Sequence, residues 1–171
     1  EHHNGKAKRQ KIRMRKYIDS DLCFIEIKEK QNSGMTNKTR CTIGDLETIL
    51  SEKSKEFIKK TTKKDLVLKP VLYNYFQRFT LVNTQRSERV TIDSCLNYKT
   101  NDATKALQNI VVIEVKQEKQ NVQTPIYKAL KANKIRTSSF SKYCIGVANL
   151  VEGIKANRFK ELNLKINNLT N

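Results

Sequence analysis

Lys11-Ile12-Arg13-Met14-Arg15-Lys16-Tyr17 and Phe24-Ile25-Glu26-Ile27-Lys28 are the two stretches that decide how this chain folds. Charged and apolar residues alternate in both. Successive side chains of a strand point to opposite faces, so this is the pattern of two half-buried strands. Arg13, Arg15, Glu26, Lys28 and Lys30 then share one face, and Ile12, Met14, Cys23, Ile25 and Ile27 the other. The order recurs downstream as Arg89-Val90-Thr91-Ile92-Asp93 followed by Val112-Ile113-Glu114-Val115-Lys116. There Arg89, Thr91, Asp93, Glu114 and Lys116 oppose Val90, Ile92, Val111, Ile113 and Val115. An antiparallel sheet of this kind packs its apolar face and turns its charges to water. A charged face of Arg and Lys with carboxylates at regular spacing suits a polyanion, with or without a metal ion. The plainer alternative is a solvated sheet face.

Composition narrows the partners. The 171 residues are enough for one domain. Lys and Arg number 34 against 17 acidic residues, a formal charge of +17. Such an excess points to nucleic acid, a phosphate polymer, a nucleotide or an anionic membrane surface. A mean hydropathy of −0.65, with no apolar run near the ~20 residues of a spanning helix, argues against a helical membrane protein, and no signal peptide is visible. Cys23, Cys41, Cys95 and Cys144 are far apart and lack CxxC spacing. Reduced thiols and a cytoplasmic compartment are therefore expected. His2 and His3 are the only histidines, which leaves little from which to build a His-based zinc site or a Ser-His-Asp triad. The five glycines are scattered, so no phosphate loop or dinucleotide motif is present. The sparse aromatics do not interleave with the basic residues as single-strand nucleic-acid binding requires, and specific nucleic-acid recognition is not expected.

The remaining elements follow from local signals. Strands are predicted at 8–18 and 22–30 around the turn-forming Asp19-Ser20-Asp21, and at 36–43, where Lys38 and Arg40 share a face. A helix is predicted over 45–60, with Asp45 as N-cap and Leu46, Ile49, Leu50 and Phe57 at helical spacing. Further strands are predicted at 70–83, opened by Pro70, and at 87–97 and 109–118. Helices are predicted at 124–132, with Thr124 as N-cap and Pro125 in the first turn, and at 141–156. The tail 157–171 reads as a docked helix or a looser segment. Asn4-Gly5 is a hairpin dipeptide, yet the chain starts at Glu1 and no strand precedes the turn. A single domain over 1–171 that lacks its N-terminal strands is the expectation.

Two details carry alternatives. Glu26 and Glu114 each precede an apolar residue and a lysine. Such a pair is either a cross-strand ion pair worth less than ~1 kcal/mol or a carboxylate metal ligand beside a phosphate-binding lysine. Ser141 opens a predicted helix, either as a simple N-cap or as part of an anion site at the helix N-terminus.

Seven blocks in order resemble one known family: Lys11 to Tyr17, Phe24 to Lys28, Lys38-Thr39-Arg40, Phe76-Gln77-Arg78, Glu88-Arg89-Val90-Thr91-Ile92-Asp93, Ile113-Glu114-Val115-Lys116 and Ser139-Phe140-Ser141-Lys142-Tyr143. Together they resemble the bacterial form of the polyphosphate polymerase domain first named from the vacuolar transporter chaperone (VTC) complex. That domain belongs to the CYTH-like triphosphate tunnel metalloenzymes. The resemblance implies an α+β fold, an antiparallel β-barrel forming a tunnel with a charged lumen and flanking helices. It implies phosphate binding by Arg13, Arg15, Lys28, Lys38, Arg40, Arg78 and Ser141. Lys116, Arg89 and Lys142 would be catalytic cations, and Glu114 would hold a divalent metal, Mn²⁺ or Mg²⁺. The implied partners are ATP or another triphosphate and inorganic polyphosphate, and the implied activity is metal-dependent phosphoryl transfer to a polyphosphate chain. Triphosphate hydrolysis and non-catalytic binding of polyphosphate or nucleic acid are the alternatives. The chain departs from the family pattern in three ways. Phe76 stands where relatives often carry Tyr, Ser139 where some place a basic residue, and the N-terminal tunnel strands are missing.

Overall fold

The computed structural model describes residues 3–85, 87–119 and 121–170. Glu1, His2 and Asn171, which enter the expectations above, lie outside them. The chain forms two compact units, Glu1–Val71 and Leu72–Asn171.

In the first unit, β1 (Arg9–Tyr17), β2 (Leu22–Lys30) and β3 (Thr36–Ile43) form an antiparallel sheet with β2 in the middle. The register sets Ile12 opposite Ile27 and Met14 opposite Ile25, with Cys41 on the far side of Ile25. This face is the core. Cys23, Ile25, Ile27 and Ile43 are buried with Ile58 of α1 (Glu52–Thr62), and Leu50, Phe57, Leu66 and Leu68 pack around them.

Helix α1 begins later than residue 45. Asp45 accepts from the backbone N–H of Leu46, and Glu47 accepts from the N–H and hydroxyl of Ser51 and the hydroxyl of Ser54. These local bonds compete with helix formation. Ser51 is the N-cap, accepting from Ser54 N–H, and Lys63 closes the helix in the left-handed region at φ 58°. Leu46 and Ile49, expected on the buried stripe, are exposed. The Asn4-Gly5 dipeptide lies in a turn, with Gly5 at φ 72°.

In the second unit, β5 (Glu88–Lys99) is central. It pairs with β4 (Tyr73–Asn83) on one side, and with β6 (Thr104–Leu107) and β7 (Val112–Gln117) at its two ends. Pro70 precedes β4 instead of opening it, and β6 has no counterpart in the sequence reading. Helix α2 (Pro125–Ala132) follows Thr124 as expected, though the Thr124 hydroxyl caps no N–H. Helix α3 (Lys142–Leu150) starts where expected and ends early, at extended Val151. The tail is helical: a 3-10 turn, Asn157–Phe159, leads into α4 (Lys160–Thr170). Leu96, Tyr98, Leu107, Ile110, Ile145 and Ile166 form the core.

Covering of the apolar strand faces differs between the units. Ile25 and Ile27 are fully buried, whereas Ile92 and Ile113 are half-buried and Val111, just before β7, is exposed. Among the described residues the fold is α+β, with antiparallel sheets and four α-helices. Among the described residues the strands hydrogen-bond as two separate sheets and close no barrel.

Candidate functional site

The charged face of the first sheet is assembled row by row. Arg13, Glu26 and Arg40 stand in register across the three strands, and Lys11, Lys28 and Lys38 form the next row. By the same alternation Arg15 and Lys30 lie on this face, where Glu26 is the lone strand carboxylate among the described residues. Glu26 is 3 % exposed. It accepts from Arg13 Nε at 2.7 Å, with Arg13 Nη2 at 2.6 Å from the same oxygen, while Lys38 Nζ pairs with the other oxygen. Burial alone pushes the Glu26 carboxyl up, but the Lys38 hydrogen bond and the Arg13 guanidinium outweigh it and hold it below the usual carboxylate range. Aromatic rings seat two more cations. Arg40 lies 4.8 Å over Phe24, and Arg15 lies 5.6 Å over Tyr17 while donating to its hydroxyl at 2.9 Å. Lys28 has no ion-pair partner among the described residues.

The second sheet repeats the logic with different residues. Asp93, fully buried at the centre of β5, accepts Arg78 Nε at 2.5 Å and Nη2 at 2.7 Å, and Lys142 Nζ at 2.5 Å. Here too burial pushes the carboxyl up, and the hydrogen bonds from Arg78 and Lys142 overcome it, so Asp93 is held below its ordinary range. Further along the same face Arg89 stands directly opposite Lys116, and Thr91 opposite Glu114. A cleft of about 580 Å³ opens beside Arg89 and Lys116, with Asn83, Gln117 and Glu118 also in its wall.

The expected phosphate ligands therefore fall into two groups. Arg13, Arg15, Lys28, Lys38 and Arg40 share one sheet face of the first unit. Arg78 and Lys142 meet at Asp93, and Arg89 and Lys116 pair in register, all in the second unit. Ser141 is the N-cap of α3, its hydroxyl accepting from Cys144 N–H at 3.4 Å. Asp93 is the residue that the sequence reading left without a role. The alternation put it on the charged face, but only the β4–β5 register and the start of α3 show which cations it holds.

Glu114 is half exposed, with Lys116 Nζ at 3.2 Å. Among the described residues no three His, Cys, Asp or Glu side chains stand together as a metal cage. A Mg²⁺-like ion that arrives with its substrate needs only one or two protein carboxylates, the other ligands being phosphates and water.

All four cysteines are free. No described helix is long and apolar enough to cross a membrane. Comparisons with curated proteins and with solved structures each found no match. The family model for the VTC domain matches residues 1–151, which include both sheets and α3. The chain belongs to the VTC domain family.

Proposed function

We propose that this protein carries out metal-dependent phosphoryl transfer from a nucleoside triphosphate to a polyphosphate chain. The observation that carries the reading is the first sheet's charged face, where Lys11, Arg13, Arg15, Lys28, Lys30, Lys38 and Arg40 surround the single carboxylate Glu26. Cations held that close repel one another, and an anion of matching length relieves the repulsion. Membership of the VTC domain family supports a polyphosphate-related function for the chain.

Little covalent chemistry is asked of the protein in such a transfer. Its work is to align the phosphates and to neutralise charge as it develops. Arg13, Arg15, Lys28, Lys38 and Arg40 would hold a phosphate chain, and Arg78, Arg89, Lys116 and Lys142 would stabilise the transferring group. A divalent metal, held in part by Glu114, would neutralise phosphate oxygens. Ser141 would act indirectly, by fixing the start of the helix that carries Lys142. The closed tunnel and the cytoplasmic setting belong to this proposal.

Incubation with ATP and Mn²⁺, followed by gel analysis, is the test. Long polyphosphate is the expected product. Free phosphate alone would replace the proposal with hydrolysis, and retention of polyphosphate without turnover would replace it with a binding module.

A further inference from the structure

Asp93 reaches no ligand, because it is fully buried, yet two cations converge on it. Arg78 arrives from β4 and engages it through Nε and Nη2, a bidentate geometry that fixes the guanidinium plane. Lys142 arrives from the first residue of α3. Phe76 floors the pair. Its ring centroid is 5.1 Å from the Arg78 guanidinium carbon and 4.9 Å from Lys142 Nζ. Its position coincides with the break in β4–β5 register between Tyr75 and Gln77. One carboxylate against two cations leaves the cluster net positive, and the Arg78 and Lys142 side chains remain 29 % and 18 % exposed.

We propose that Asp93, with Phe76 as its aromatic floor, is a positioning residue that locks Arg78 and Lys142 into one two-pronged phosphate clamp. This rests on the reading of those two cations as phosphate ligands. Both are long side chains with many rotamers, and ordering them on the ligand would weaken binding. Ordering them beforehand on a buried carboxylate moves that cost from binding to folding. A carboxylate that merely neutralised the cations makes the opposite prediction: removing its charge would leave a more positive cluster and tighter anion binding.

Calorimetric titration with inorganic tripolyphosphate at fixed ionic strength separates these, using the unmutated protein, R78A, K142A, D93N and D93N/K142A. R78A and K142A should each weaken binding. D93N should weaken it by about tenfold or more, the loss of one charge-assisted hydrogen bond, although its charge is more positive. The D93N penalty should shrink in the K142A background, whereas a general packing defect would cost the same in both. Unchanged affinity in R78A and K142A would overturn the phosphate reading itself. Weakened binding in those two, with D93N unchanged or tighter, would overturn only the role of Asp93. If D93N does not fold, the unmutated protein decides. Its Arg78 Nε–H signal, assigned by its loss in R78K, should exchange with solvent more slowly than those of exposed arginines, and equal exchange would overturn the clamp.

Discussion

Arg89 of β5 and Lys116 of β7 are direct register partners, two exposed cations opposite each other across the strand pair. Like charges across a strand pair are destabilising, by an amount in the range of roughly 0.2–1 kcal/mol. An anion seated between them would reverse the sign. Arg89→Gln should therefore leave the unliganded protein as stable as before or slightly more so, while tripolyphosphate binding weakens by about 1–3 kcal/mol. Thermal melting with and without tripolyphosphate checks both halves. A variant that loses stability but keeps its ligand-induced rise in melting temperature would remove Arg89 from the site.

Glu26 ties the charged face of the first sheet together, and its carboxyl is held low by Lys38 and Arg13 against its own burial. Asp93 is held low by Arg78 and Lys142 in the same way. A folded-state carboxyl pKa below the unfolded value of about 4 contributes stability above that pH. The contribution is lost as pH falls through about 4 toward the folded value. Urea unfolding from pH 6 to pH 3 should show stability nearly flat at first and then falling. Glu26→Gln should be less stable at pH 6, by about 1–3 kcal/mol, and should show a shallower fall on acidification. A slope identical to that of the unmutated protein would mean that Glu26 does not carry this pH dependence.

How much of this was legible in the sequence depends on the range of the signal. Period-two alternation located β1, β2 and β3 within a residue or so and put Arg13 and Glu26 on one face, because alternation is a local property of the strand. The four residues of β6, Thr104–Leu107, are too few and too mixed to alternate visibly. The helix start moved from Asp45 to Ser51 because both residues are good caps and only the Glu47 contacts choose between them. The apparent repeat also misled. It paired Glu26 with Glu114, whereas the buried, doubly held acids are Glu26 and Asp93, and Glu114 is half exposed. Glu26 and Asp93 each lie on the middle strand of their sheet, and strand order is not written in the alternation.

Gly146 tests the packing of α3, the helix that carries Lys142. A Cβ placed there would lie 2.5 Å from Leu72 Cδ2 and 2.6 Å from Tyr98 Cδ1. The leucine methyl can swing aside, but the Tyr98 ring is 1 % exposed and enclosed by the core. Gly146→Ala gains helix propensity of about 1 kcal/mol and still meets an overpacking cost of roughly 1–3 kcal/mol. Net destabilisation in chemical denaturation is expected, together with weaker tripolyphosphate binding as Lys142 shifts. A more stable variant would show that α3 has room to move off Tyr98.

Glu114 carries the last prediction. Its pair with Lys116 at 3.2 Å has both side chains about half exposed, and exposed pairs contribute a median of about 0–1 kcal/mol. Glu114→Gln should therefore leave the melting temperature nearly unchanged, so a loss of function cannot be blamed on unfolding. It removes one negative charge from a basic face, and tripolyphosphate alone should bind as well as before or better. A divalent ion shared between this carboxylate and substrate phosphates would keep at most a neutral amide oxygen in place of a charged one. Mn²⁺ titrated in the presence of tripolyphosphate, followed by electron paramagnetic resonance, should bind the variant more weakly, and Mn²⁺-dependent turnover of ATP should fall with it. Equal Mn²⁺ affinity in the two proteins would assign Glu114 to a surface ion pair, and the metal-binding role would then have to move to another residue.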